Sequence, residues 1–463
     1  MYSDFMQDTK HGLKRELRLQ DLVFMQVLLV VGLNFTGYAA KQGSSHIALW
    51  MLAIILFYLP LAAVVVKLSR ALPLEGGVYQ WVKEGITPFA GYMAGWGLAV
   101  YGIFFFASFG SQLAEGFALA AGGGYSWMGT SKWFALGLTI LLCLFAFVLN
   151  VRGLHAAKWL SGAGSLLNIV IFLILLYLLV KVWLSGKLFA SAAFSLVAPR
   201  FSILSVNVFT KMALFALSGI DQCAIFTEEC RKPKNDISRS VLIAAPLIAL
   251  MYILATSALL AYVSPGNIDL AAPVSQLLQA GFGGTGEGHA VAAIAVGGFS
   301  VILIASLIII VGMISRLPMV AGWDGLLPAW WSELNPQFRT PSKAIASVAC
   351  CLMLVAGLSL VGAHNQEAVQ VLSCVGFGSY CVVYLLMFGA ILFGFRSSTW
   401  RPSIAIRLMA LAAFSVVLVC LGFELVPIGE VADPFLFAVK VTGAICIVNG
   451  LGSYLYWRRA MRR

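Results

Sequence analysis

The chain has 463 residues, of which 61% are hydrophobic and 11% charged, and it carries a net charge of +11 at pH 7. A water-soluble globule needs roughly 25% charged residues to solvate its surface, so most of this surface must face hydrocarbon. That excludes a soluble fold.

A helix needs about 20 mainly apolar residues to cross a ~30 Å hydrocarbon core. Runs of that kind lie near residues 20–40, 47–69, 88–116, 133–150, 161–184 and 204–227. Six more lie near 240–263, 289–316, 344–362, 368–394, 405–425 and 434–457. They do not alternate, and barrel strands would be about 10 residues with a period of two. The fold class read from this pattern is an all-α membrane protein of twelve transmembrane helices. Residues 1–19 are polar, with Lys10, Lys14, Arg15 and Arg18 and no small-residue cleavage site. They are expected to stay as a cytoplasmic tail, not to leave as a signal peptide.

Most of the 30 Lys and Arg fall on one side of these spans: in both tails (the second at 458–463) and in the connections holding Arg70, Arg152, Arg231, Arg316 and Arg396. The opposite side carries few, chiefly Lys41, Lys132, Lys181, Lys187 and Arg200. This bias puts both termini in the cytoplasm, with the chain in the cell (inner) membrane. The charge is therefore a topology signal and no nucleic-acid footprint. The partners expected are a small-molecule substrate and the lipid bilayer; a homo-oligomer is left open.

The nine cysteines form no Cys-x-x-Cys pair and read as small packing residues, Cys143, Cys350, Cys351, Cys374, Cys420 and Cys446 within spans. No metal site or cofactor is expected. The histidines, among them His11, His46, His155 and His289, are scattered near ends and loops, unlike a membrane-embedded enzyme, and no polar stripe marks a channel. No Walker-type glycine loop occurs, so this chain alone is not ATP-driven. The longest connections are 264–288, rich in Gly, Pro and Ser, and 317–343, where Trp330 and Trp331 suggest a short helix at the membrane interface.

Two spans are unsuited to simple helices. The first holds Gly32-Leu33-Asn34-Phe35-Thr36-Gly37 at its middle, and the sixth holds Phe215-Ala216-Leu217-Ser218-Gly219-Ile220-Asp221-Gln222 at a similar depth. Glycine and small polar residues there weaken the helix, and the freed backbone groups must find partners. Transporters use such breaks to present helix N-termini to anions and carbonyls to cations. The interruptions lie five spans apart, the spacing of a five-plus-five inverted repeat.

Three connections are more specific. Pro73-Leu74-Glu75-Gly76-Gly77-Val78-Tyr79 follows the second span, with Gly91 and Gly95-Trp96 entering the third. Glu228-Glu229-Cys230-Arg231-Lys232-Pro233 through Arg239 follows the sixth. Arg316, Trp323-Asp324-Gly325-Leu326-Leu327-Pro328 and Thr340-Pro341 follow the eighth. In this order and spacing the chain, from about residue 20 to 457, resembles the amino acid–polyamine–organocation transporter superfamily.

The resemblance implies a fold similar to the sodium-coupled leucine transporter. A ten-helix core over 20–394 would hold inverted repeats at about 20–184 and 204–394, with broken helices 1 and 6; spans eleven and twelve, 395–457, would be peripheral. Substrate would bind between the breaks, at Gly32, Asn34, Phe35, Thr36 and Gly37 and at Phe215, Ser218, Gly219 and Asp221. Phe215 falls where the family places an aromatic gate, with ordinary lipid or core packing as its other reading, and Gly219 falls at the family's unwinding glycine. Gly76, Gly77, Glu229 and Asp324 are expected to gate and pack. Asp221 is a substrate or proton group by default, because a midplane carboxylate is costly unless paired or hydrated; a structural hydrogen bond is its other reading. Span one departs from the Gly-Ser/Ala-Gly-Ile-Phe of many relatives. Asn168 stands where several relatives carry a lysine that replaces sodium, which with Asp221 makes it a coupling candidate. Lys158 is expected to snorkel, Lys440 to face a protein or lipid interface, and Lys211 to line an outer vestibule or lie at the interface.

The function expected is sodium-independent secondary transport of amino acids by alternating access, as an exchanger or proton symporter. A polyamine or other organocation carrier is the alternative within transport, and a non-transporting sensor the alternative outside it.

Overall fold

The computed structural model describes residues 13, 15–121, 123–125, 127–186, 192–268, 273–282, 287–359, 365–395, 400–427, 431 and 433–461. Among them, ten helices are long and apolar enough to cross a membrane. In chain order, with two shorter apolar helices, they are α1 (Leu19–Val30), α2 (Gly43–Ala71), α3 (Pro88–Ala118), α4 (Lys132–Val151), α5 (Lys158–Leu184) and α6 (Ile203–Ala216). The second six are α7 (Pro233–Tyr262), α8 (Ala293–Gly322), α9 (Ser342–Ser359), α10 (Glu367–Phe393), α11 (Ile404–Phe423) and α12 (Pro434–Arg459). The short ones, α1 and α6, are the first parts of the two spans whose sequence carries mid-span glycines.

Several helices run past the apolar stretch that marks them. Helical residues begin at Pro233, ahead of the apolar run at 240–263, and continue to Trp323, beyond the run at 289–316, because a helix needs only its own backbone bonds and ends where a cap or turn stops it. At Pro233 the Asp236 carboxylate accepts the Lys232 N–H at 3.0 Å and closes the first turn. The connections are more structured than composition suggests. Val78–Gly85 and Pro273–Phe282 are helices. The interfacial helix expected in 317–343 is instead a single tight turn, Ala329–Trp331, flanked by Pro328 and by the Asp324-Gly325 reversal.

α1 is enclosed by α5 and α7, and α10 by α3 and α11. Over their most apolar windows 78% of α10 is buried but only 17% of α12, so α10 is a core element and α12 an outer one. Large apolar side chains such as Leu166, Leu173, Leu354, Leu408 and Ile447 point outward, as lipid-facing residues do. Cys350, Cys351 and Cys446 join them on the outer surface. That corrects the reading of these three as packing residues; Cys143, Cys223, Cys230, Cys374, Cys381 and Cys420 are buried.

Candidate substrate site

The first break begins where α1 stops. Val31 still donates to Val27 O at 3.0 Å but leaves helical geometry (ψ 87°), a tight turn follows at Leu33–Phe35, and the helix resumes at Thr36–Ala40. Gly32 is required for close approach: a Cβ there would lie 2.7 Å from the Phe35 ring, which folds back over it. The second break follows a π-helical turn, Met212–Ala216, at the end of α6. Such turns are rare and concentrate at functional sites. Leu217–Asp221 is not helical, Gly219 holds φ +103°, and Gln222–Glu229 resumes as a 3-10 helix. A side chain disfavours that φ, so the reversal depends on glycine.

The breaks lie against each other. The Phe35 and Phe215 rings meet edge to face at 5.9 Å, and Phe215 stacks on Phe377 of α10 at 3.9 Å. Ser218 is buried, Gly37 is buried in the resumed helix, and Thr36 Oγ1 donates to Leu33 O at 2.6 Å. The Asn34 side chain lies outside the described residues.

Hydroxyls and amides from neighbouring helices take up the freed backbone. At the first break the Gly32 N–H donates to Tyr252 Oη of α7 at 2.9 Å, and that hydroxyl donates to Val30 O at 2.7 Å. Asn168 Nδ2 of α5 donates to Val31 O at 3.2 Å, and Ser306 Oγ of α8 donates to Leu28 O at 3.5 Å. At the second, the Gly219 N–H donates to Tyr384 Oη at 2.9 Å. Tyr384 and Tyr380, one turn apart on α10, both donate to Asp221 Oδ1 at 2.8 Å. Gln222 Nε2 in turn donates to Tyr380 Oη at 3.2 Å. Asp221 is fully buried, and its carboxylate is turned toward α10.

A second constellation lies at the end of the molecule that carries the basic connections. Glu229 binds Arg316 of α8 in two-pronged fashion, Oε1 to Nη2 at 2.9 Å and Oε2 to Nε at 3.2 Å, with both side chains almost wholly buried. The Arg316 guanidinium also lies 5.1 Å from the Phe226 ring. Asp324 accepts from Tyr79 at 2.6 Å and from Lys83 at 2.7 Å. Gly76 and Gly77 bring their loop onto the segment after the second break: Gly76 N–H donates to Ile225 O at 3.2 Å, and a Cβ on Gly77 would lie 2.9 Å from the Ala224 backbone. Glu75 adds a second buried carboxylate; Oε2 accepts the Glu228 N–H at 2.6 Å, and Oε1 has no hydrogen-bond partner among the described residues. Burial, and then the nearby Glu229 carboxylate, push the Glu75 pKa well above the usual carboxylate range. Glu16 and Leu17 donate their N–H groups to Glu229 O at 3.0 Å, which straps the chain's start across this end.

Residues that composition could not single out thus hold the site. Tyr252, Tyr380 and Tyr384 sit in apolar runs, and only the i, i+4 spacing of the last two hints at a shared face. Lys158 pairs with Asp21 at 3.6 Å, and Lys440 with Glu367 at 2.7 Å. Lys211 lines no vestibule and meets no interface: it is buried in an ion pair with Glu424, which corrects both readings of it. Chemically, each break presents helix ends of opposite partial charge to one small volume.

Comparison with known proteins decides the family. The amino acid permease family matches residues 17–447. The chain belongs to that family. An uncharacterized transporter of Legionella pneumophila is 24% identical over 81% of this chain and 80% of its own length. An uncharacterized transporter of Mycobacterium tuberculosis is 24% identical over 98% of the chain and 94% of its own. An aspartate/glutamate permease of Lactococcus lactis is 23% identical over 55% of the chain and 53% of its own. The likeness to amino acid–polyamine–organocation transporters read from the loop motifs therefore holds, and the apolar helices make this permease an integral membrane protein.

Proposed function

We propose that this permease is a sodium-independent secondary transporter of amino acids that works by alternating access, as an exchanger or proton symporter. The observation that carries the reading is the juxtaposition of two helix breaks, with Phe35 and Phe215 in contact across them. A zwitterion suits the volume between them: its carboxylate toward the N-terminal ends of the resumed helices, its ammonium toward the carbonyls that end α1 and α6. The amino acid reading is favoured over the polyamine one because Asp221 is engaged by two tyrosines, whereas a second ammonium would need an open carboxylate oxygen. The aspartate/glutamate permease among the relatives supports the same class.

In this reading the chain crosses the membrane twelve times, with α1 and α6 completed by the segments after their breaks. The first ten spans form the two inverted repeats, and the basic end is cytoplasmic. Glu229–Arg316 and Asp324–Lys83 then seal the cytoplasmic side, and opening that side requires both to part. Sodium independence rests on the carbonyls of Leu28 and Val31. A bound cation needs several oxygen ligands, but here Ser306 and Asn168 place donors on those oxygens.

Uptake of radiolabelled L-glutamate, and of a mixture of neutral and basic amino acids, into proteoliposomes tests this with sodium replaced by choline at fixed pH and potential. Uptake that persists in choline is expected. Loss on replacement would remove sodium independence, and absence of uptake and exchange under all conditions would favour a sensor.

A further inference from the structure

The resemblance made α11 peripheral, yet a buried charge follows directly on its last turn. Glu424, immediately after α11, is fully buried, and its Oε2 lies 2.8 Å from Lys211 Nζ of α6, itself 2% exposed. Lys211 Nζ also donates to Phe423 O at 3.3 Å and sits 4.8 Å from the centroid of the Phe215 ring. An ammonium has three donor directions, and these contacts use them on two residues of α11's end and one aromatic face. Phe215 follows Lys211 across the π-helical turn, so the cation and the ring it covers sit on one distorted stretch of α6. The same ring stacks on Phe377 of α10 at 3.9 Å. The aromatic side chain at the second break thus meets both a cation held at the end of α11 and a ring of α10.

We propose that Lys211 and Glu424 are positioning residues for the gate: the ion pair holds the ammonium over Phe215, and the gate opens when that cation leaves the ring. α11 is then part of the gating apparatus. The proposal rests on the reading of Phe215 as a gate. Burying two charges is repaid only by close pairing, and an apolar pair often serves stability as well, so retention of this one fits a role beyond holding helices together. A desolvated cation over an aromatic face is an attraction that separation by a few ångströms abolishes.

The test reads the barrier directly and needs no substrate. Ser218, three residues past Phe215 in the non-helical break, is buried, so S218C is introduced into the full-length protein. Its labelling by a membrane-impermeant methanethiosulfonate, applied from the face bearing Ile203, is measured against the same protein without S218C. Slow labelling is expected for the native pair and for K211R, which keeps both the ion pair and a cation for Phe215. K211M/E424M and the swap K211E/E424K should both label about tenfold faster, the factor that roughly 1.4 kcal/mol of lost contact represents. The swap keeps charge balance but puts a carboxylate beside the ring, so it carries the test even where the neutral pair fails to fold. A swap as protected as the native pair would overturn the proposal, leaving only a tie between helices, and so would full protection in K211M/E424M. Variants that label as expected in a protein that moves no amino acid would overturn the transport reading and leave the latch standing.

Discussion

The Tyr384 hydroxyl donates to Asp221 Oδ1 at 2.8 Å while accepting the Gly219 N–H at 2.9 Å, so one side chain of α10 closes the break from both of its polar ends. The buried carboxylate is held without a cation beside it in that network, and the positive-φ glycine two residues earlier is held by the same group. Rearrangement at the second break must therefore involve α10.

Asp221→Asn should cut transport by about 100-fold, as small misplacements in a positioned site do. It should lower stability by only about 1–3 kcal/mol, because the amide brings donors toward hydroxyls that already donate. Proteoliposome uptake and thermal unfolding of the same preparation separate the two effects. Wild-type uptake across pH would reduce Asp221 to a packing detail.

Tyr384→Phe removes the acceptor of the Gly219 N–H and one donor to Asp221 together. Leaving that amide unpaired should cost about 1–3 kcal/mol. Tyr380→Phe should cost less, since the Gln222 amide it abandons belongs to a side chain that can turn elsewhere. Denaturation midpoints of the two variants, measured side by side in one detergent, check the order.

Glu75 sets a pH dependence at the basic end. Its folded-state pKa is raised, so the folded form binds the extra proton between the ordinary carboxylate range and the raised value. Across that window stability falls as pH rises, with sign opposite to a carboxylate stabilised by a cation. Glu75→Gln should flatten this slope and leave the protein more stable than wild type at neutral pH. Melting temperatures from pH 5 to 8 for both proteins provide the comparison; an unchanged slope would move the effect to another group.

Asn168→Ala strips the donor from Val31 O at the first break. We expect a loss of about 1–3 kcal/mol and a weaker apparent affinity for amino acids, with transport still indifferent to sodium. Uptake that becomes sodium-dependent in this variant would show that the amide had been standing in for the ion.

The sequence by itself determined the all-helical membrane class and the places where two spans lose helical geometry. These are local matters: hydrocarbon demands about 20 apolar residues per crossing, and Gly32 and Gly219 weaken a helix wherever it packs. The loop motifs likewise marked the family, since Gly76-Gly77, Glu229 and Asp324 keep a recognisable order along the chain. What only the tertiary structure decided is pairing. Tyr252 reaches Gly32 across 220 positions, Tyr384 reaches Gly219 across 165, and Glu424 reaches Lys211 across 213. In an apolar run each of these polar groups looks like an isolated cost, and the group that offsets it lies on another helix. Lys211 therefore read as an interfacial or vestibule lysine, until packing set Glu424 against the ammonium and the ammonium against Phe215.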